Sequence, residues 1–248
     1  MITLRQQDIV HRSKMQRLLV EIADSPILSS KIYFKGGTCA SMLDYLDRFS
    51  VDLDFDPHKI LSELETSVIR KELESIFEKL EFTIDKENSK SLFFTLKYKS
   101  QPNTRNTLMI SVFGSEAHSS EFVISNDYKK VKINEIDRFL NCQTIESMFA
   151  NKLVSVTDRY NRHKKIAGRD IYDVHYFFSQ GYEFKEEIIK ERTGLGAKEY
   201  IKKLISFVEK NVAEDIINQD LNMLLPLEKF KKIRKTLKQD TLLFLRNL

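Results

Sequence analysis

The chain of 248 residues has two cysteines, Cys39 and Cys142, and neither stands in a metal-ligand spacing. A thiolate metal centre is thereby excluded, and two isolated thiols fit a reducing compartment in which both are buried and inert. No apolar run approaches the ~18–20 residues that span a bilayer. The opening MITLRQQDIVHRSK has no signal-peptide apolar core. The expectation is a cytoplasmic protein with no membrane partner. There is also no Pro/Gly/Ser-rich linker, internal repeat or low-complexity segment. What is present is ordinary: 42% hydrophobic and 31% charged residues describe a globular protein with one large domain or two small ones. A formal net charge of +4 permits a polyanionic partner without establishing one.

Against this background one stretch stands out, Lys35 to Asp56, KGGTCASMLDYLDRFSVDLDFD. In Val51-Asp52-Leu53-Asp54-Phe55-Asp56 apolar and acidic residues alternate strictly. A strand turns successive side chains to opposite faces, so Val51, Leu53 and Phe55 are expected on a core and the three aspartates on the other face. The carboxylates then recur about every 7 Å and repel unless a cation lies among them. A hard divalent ion resolves the conflict, since Mg²⁺ takes one or two carboxylates together with phosphate oxygens. An acidic solvated face is the bland alternative. Asp is a poor strand former, and three on one face favour the functional reading. Ser50, by the same period of two, borders the site.

Upstream, KIYF (Lys31 to Phe34) reads as a short strand, Gly36-Gly37 breaks it, and Thr38 opens an apolar-periodic segment through Ala40, Met42, Leu43 and Leu46. Paired glycines allow close backbone approach, and the N–H groups of a helix start attract an anion. Thr38 is expected to cap that helix and present a hydroxyl. Gly-Gly-Thr alone is a weak signal; fourteen residues before an Asp-x-Asp strand it is a strong one. GGT followed by RFSVDLDFD resembles the first motif of the nucleotidyltransferase superfamily, in the form seen in the AbiEii/AbiGii toxins of bacterial toxin–antitoxin and abortive-infection pairs.

Taken in order, residues 4–23 suggest an amphipathic helix with Ile9, Val10, Leu18, Leu19 and Ile22, and His58 to Leu80 a second. SLFFTLKYKS and LMISVF (108–113), joined by QPNTRNT, read as a hairpin, and Phe122 to Ile133 as a weaker strand. From Thr144 the pattern is helical, with helices near 144–160, 169–179, 185–192, 197–214 and 228–247. The expected class is α/β (α+β): a mixed-sheet domain over 1–140, followed by a helical domain over 141–248 that completes the active site.

Lys152 and Arg159 share a helix face one heptad apart. Arg159 to Arg169 (RYNRHKKIAGR) carries Arg159, Arg162, Lys164, Lys165 and Arg169 with no acid. Asp170 and Asp173 then lie one turn apart on the next helix, Asp170 being favoured there by the helix dipole. A surface ridge, an N-cap and a surface acid are the bland readings. A run of Lys and Arg in 229–238 is equally a solvated face. The AbiEii resemblance shifts the weighting, because NKLVSVTDRY and GRDIYDVHYF follow the family's order of Lys-Leu, a downstream Arg, and Arg-Asp-x-x-Asp. Over residues 35–178 it implies that Lys152 meets nucleotide phosphates and Asp170 serves the catalytic centre beside Asp52 and Asp54.

The resulting expectation is transfer of a nucleoside monophosphate from an NTP held at Lys35, Gly36, Gly37, Thr38, Ser50 and Arg159. Asp52 and Asp54 would hold two Mg²⁺ ions. By resemblance the acceptor is tRNA or a protein side chain, with Arg162, Lys164 and Lys165 as RNA contacts, and a cognate antitoxin protein opposes the activity. A small-molecule, antibiotic-type nucleotidyltransferase would want an acidic pocket, whereas 159–169 is basic. A catalytically inactive binding relative is disfavoured by Asp52, Asp54 and Lys152. It is favoured by one departure: a later strand carries Ser111 where a third carboxylate is expected, and neither Glu116 nor Glu121 is a convincing replacement. Asp170 is the acid expected to compensate.

Overall fold

Two side chains decide where the acidic strand begins. His11 donates from Nε2 to the Val51 carbonyl (2.8 Å), and the Thr38 hydroxyl donates to the Asp52 carbonyl. With those carbonyls held by side chains, the sheet ladder starts two residues later than expected, and the strand runs Leu53–Pro57 instead of from Val51. Val51 is nevertheless buried. This computed structural model describes residues 6–88, 91–102, 104–113 and 122–248; Glu116 and Glu121 lie outside the described residues.

The chain divides into two compact units: Met1–Asp44, Phe49–Ile124 and Tyr128–Gln143 form one, and Tyr45–Arg48, Ser125–Asp127 and Thr144–Leu248 the other. The first contains α1 (Gln6–Asp24), α2 (Pro26–Lys31), β1 (Ile32–Lys35), α3 (Gly36–Met42), β2 (Leu53–Pro57), α4 (Glu63–Lys79), β3 (Thr83–Asn88), β4 (Leu92–Lys97), β5 (Thr107–Val112), β6 (Tyr128–Ile133) and β7 (Arg138–Gln143). Among the described residues the strands make one mixed sheet in the order β3-β4-β5-β2-β1-β7-β6. β2 runs antiparallel to β1 and parallel to β5, and β4 and β5 form the expected hairpin. Phe34, Leu53, Phe55, Phe94, Leu96, Leu108 and Ile110 fill the core, and α4 lies over β3 and β4, its Arg70 guanidinium 4.9 Å from the Phe94 ring centre.

Several boundaries differ from expectation for local reasons. The buried stripe of α1 is Met15, Leu18, Leu19 and Ile22, while Ile9 and Val10 are exposed. α4 begins at Glu63, not His58, because Ser62 and Glu65 close a reciprocal capping box. β3 is an exposed, charge-rich edge strand, TIDKEN, and β7 lacks apolar alternation, so neither carries a strand signature.

The second unit is helical, as expected. It holds α5 (Ile145–His163), α6 (Gly168–Ser179), α7 (Glu186–Thr193), α8 (Ala197–Asn211), α9 (Glu214–Leu221), α10 (Leu227–Ile233) and α11 (Leu237–Arg246). α9 was not expected, and the expected last helix is two, α10 and α11. α6 packs on α5, α9 and α11. Gly168, at the start of α6, admits no side chain: a Cβ there would meet the Ile216 carbonyl oxygen at 2.7 Å. Among the described residues no helix is long and apolar enough to cross a membrane.

Candidate active site

In the first unit the site is built where β1 turns into α3 beside β2. Register pairs Lys35 with Asp54 across β1 and β2, and Asp54 with Ser111 across β2 and β5. Gly36 has φ +79°, a left-handed conformation that glycine adopts without strain. A Cβ there would come within 2.8 Å of Asp54 Oδ2. Both facts require glycine, and together they lay one oxygen of Asp54 against bare backbone. Its other oxygen, Oδ1, accepts from the Ser111 hydroxyl at 2.9 Å. Ser111 thus stands beside Asp54 as expected and supplies a neutral donor in place of a charge.

Gly36 and Gly37 form the first turn of α3, whose N-cap Lys35 makes no side-chain capping bond. Thr38 is therefore not the cap. It lies inside the helix, buried, and its hydroxyl is engaged by the Asp52 carbonyl. Its role is to tie α3 to the segment entering β2, and the expectation that this hydroxyl faces a ligand is corrected accordingly. Ser50 lies upstream of the strand and is half-buried.

Alternation placed Asp56 with Asp52 and Asp54, but its environment is different. Asp56 is 1% exposed and accepts from Lys35 Nζ and from the Tyr128 hydroxyl, the latter at 2.5 Å. Lys35 also lies 4.5 Å from the Phe113 ring centre. Lys35 and Asp56 therefore neutralise one another, while Asp52 and Asp54 are half-buried.

In the second unit a separate cluster gathers on α5 and α6. Lys152 Nζ donates to Asp170 Oδ1 at 3.0 Å and lies 2.9 Å from Asp173 Oδ2. Arg159 Nε donates to Asp170 Oδ2 at 3.2 Å. Arg48 binds Asp173 through two bonds, Nε to Oδ1 at 2.5 Å and Nη2 to Oδ2 at 2.7 Å. Both carboxylates and Arg48 are buried, whereas the Lys152 and Arg159 side chains keep 18% and 37% exposure. Burial alone would raise the Asp170 pKa, but Lys152 and Arg159 hold it well below the usual carboxylate range. Burial likewise works against charge on Lys152, and the two aspartates more than offset it, leaving its pKa raised.

An ammonium has three donors, and two of those on Lys152 point at buried carboxylates. Arg159 uses Nε inward and keeps the outer edge of its guanidinium. The cluster presents two oriented cations, the arrangement that receives phosphate oxygens. Arg48 escapes sequence reasoning, standing there only as a letter of the RFS motif four residues before Asp52, while Asp173 belongs to the Arg-Asp-x-x-Asp match without a partner that the sequence can name. Farther along α5, Arg162 pairs with Asp158 (2.9 Å), and Lys164 ends the helix in a left-handed conformation, 5.3 Å from the Tyr160 ring centre. Arg162, Lys164 and Lys165 are exposed.

The fold is shared with solved structures. JHP933 from Helicobacter pylori is 20% identical, with a TM-score of 0.53 over 99% of this chain and 95% of that one. An antigenic nucleotidyltransferase-like protein from Paracoccidioides brasiliensis is 16% identical, with a TM-score of 0.51 over 89% and 96%. More distantly, MenT4, a nucleotidyltransferase toxin of Mycobacterium tuberculosis, is 15% identical, with a TM-score of 0.44 over 99% and 91%. At these identities the first two likenesses show the fold alone. No curated protein matches the sequence. The sequence model of a single family, however, covers residues 17–241, and the chain belongs to it: it is a member of the AbiEii nucleotidyl transferase toxins of type IV toxin–antitoxin systems.

Proposed function

We propose that this nucleotidyltransferase toxin transfers a nucleoside monophosphate from an NTP to a hydroxyl of RNA, with tRNA the expected acceptor, in a Mg²⁺-dependent reaction opposed by a cognate antitoxin. The observation that carries the reading is Asp54 lying against the bare backbone of Gly36, beside the start of α3. The triphosphate would lie over Gly36 and Gly37, where first-turn N–H groups face an anion. Lys152 and Arg159 are proposed, from the family's motif order, as phosphate-contacting cations within their own unit. The acceptor oxygen forms a bond to the α-phosphorus as the bond to the bridging oxygen breaks, and pyrophosphate leaves. Exposed Arg162, Lys164 and Lys165 favour RNA over a protein hydroxyl as the acceptor.

The donor set fits Mg²⁺. Among the described residues no group of three or more His, Cys, Asp or Glu side chains is gathered to hold a metal alone. Two carboxylates completed by phosphate oxygens match the habit of an ion that binds with its nucleotide. Asp52 and Asp54 would hold it, and when bound it would neutralise charge developing on the phosphoryl oxygens. The test is incubation of the purified chain with each labelled NTP and total tRNA, with and without Mg²⁺. Labelled RNA is expected only with Mg²⁺, and neither Asp52→Asn nor Asp54→Asn should produce it while both keep the wild-type circular dichroism. Wild-type transfer by either variant would overturn the reading.

A further inference from the structure

Beyond Asp54 the sheet continues for three more strands, and their registers align one row of side chains at the level of that carboxylate. Asp54 pairs with Ser111 on β5, Ser111 with Phe93 on β4, and Phe93 with Asn88 on β3. Burial alternates along β4, with Leu92, Phe94 and Leu96 in the core and Phe93 and Lys97 turned out. Phe93 is 38% exposed, and Met109, one step along β5 on the same face as Ser111, is 39% exposed. The opposite face of β3 and β4 is covered by α4. Lys86, paired with Thr95 in the next row, adds an exposed cation. At about 4.8 Å per strand, Phe93 stands two strands, roughly 10 Å, from Asp54.

In-line displacement fixes which substrate uses this face. The incoming oxygen must approach the phosphorus from the side opposite the leaving pyrophosphate. β1, with the Gly36-Gly37 turn, flanks β2 on one side and β5 on the other. With the triphosphate on the β1 side, the acceptor arrives across β5 and β4. We infer that the row Ser111–Phe93–Asn88 is the acceptor subsite, in which the unpaired terminal base of an RNA strand stacks on Phe93 and meets the Asn88 amide. The inference rests on the RNA-acceptor reading above. Exposed aromatics on an open sheet, flanked by lysine, are how sheet-based proteins hold single-stranded bases.

The chain contains no tryptophan, so Phe93→Trp places a single fluorophore at the site. A short unstructured oligoribonucleotide should quench it saturably, whereas NTP alone should not. Phe93→Ala should weaken binding of the same oligonucleotide by roughly five- to hundred-fold, the range for losing one base stack. It should leave NTP affinity unchanged, and Phe93→Tyr should restore RNA binding. Folding is checked by circular dichroism, and the exposed position of Phe93 makes all three variants tolerable. If RNA is labelled by the wild-type enzyme but Phe93→Trp stays silent, or Phe93→Ala loses NTP affinity instead, this subsite is wrong and the transfer reading stands. If no RNA is labelled or bound, both fall.

Discussion

Arg48 and Asp173 form the most deeply buried ion pair of the second unit, and its energetics can be worked from the geometry. Asp173 has no exposed surface, Arg48 has 2%, and the two are joined by two bonds. Burial would lower the Arg48 pKa, yet Asp173 keeps it raised above its ordinary value. Removing one partner of such a pair strands the other charge and costs about 3–5 kcal/mol, whereas replacing both by apolar groups is often neutral. Arg48→Met and Asp173→Leu should therefore each lower Tm by about 6–20 °C, taking ~2–4 °C per kcal/mol for a chain of this size. The double variant should recover most of the loss, short of full recovery because Lys152 also uses Asp173. Calorimetry should be joined to hydrogen exchange of the α5 and α6 amides, which localises the change to the helices that carry the pair. Additive losses in the double variant, or a single-variant cost below ~1 kcal/mol, would refute the stranded-charge reasoning.

His11 predicts a pH dependence in the first unit. Burial, followed by the nearby Arg105 and Arg12 charges, lowers its pKa from 6.5 to about 4, against the raising effect of its bond to the Val51 carbonyl. Between those values the unfolded chain binds the proton that the folded chain refuses. Stability should thus be complete above pH 6.5 and fall by about 3 kcal/mol as the pH drops to 4; denaturant midpoints across this range should show the slope, and His11→Gln should flatten it. Neutralising Arg162, Lys164 and Lys165 together should weaken RNA binding and reduce the slope of log Kd against log salt by about 1–2, less than three full phosphate contacts because Arg162 is already paired with Asp158. An unchanged slope would return that loop to solvated surface.

The parts legible in the sequence were those written in local periodicity. The β4–β5 hairpin, the helical second half and the glycine turn before an acidic strand follow from alternation, from 3.6-residue spacing and from the special backbone needs of Gly36. The parts that were not legible depend on partners remote in the chain. Asp56 shares the alternation of Asp52 and Asp54, yet Lys35 and Tyr128, 21 and 72 residues away, turn it into a buried counter-ion. Asp173 looks like a surface acid until Arg48, 125 residues upstream, comes to it. Thr38 has the chemistry of a cap, but the helix starts two residues earlier, at Gly36, and its hydroxyl goes to a backbone carbonyl.

The serine at position 111 can be understood from the same accounting of charge. In parallel register it stands directly beside Asp54, so a carboxylate there would oppose a carboxylate at strand spacing. Two such acids raise one another's pKa and splay apart until a cation joins them. A hydroxyl instead donates to Asp54 Oδ1 and fixes the side chain with Oδ2 against Gly36. Asp56 spends its charge on Lys35, so it adds no further repulsion to the face. The first unit therefore holds Asp54 in one orientation through neutral and paired groups, a rigidity that a third acid would supply only in the company of metal. Under the proposed transfer reading, orientation before substrate arrives is what an in-line displacement would require of Asp54, because a carboxylate that must first be gathered by its ion would repeat that reorganisation in every turnover.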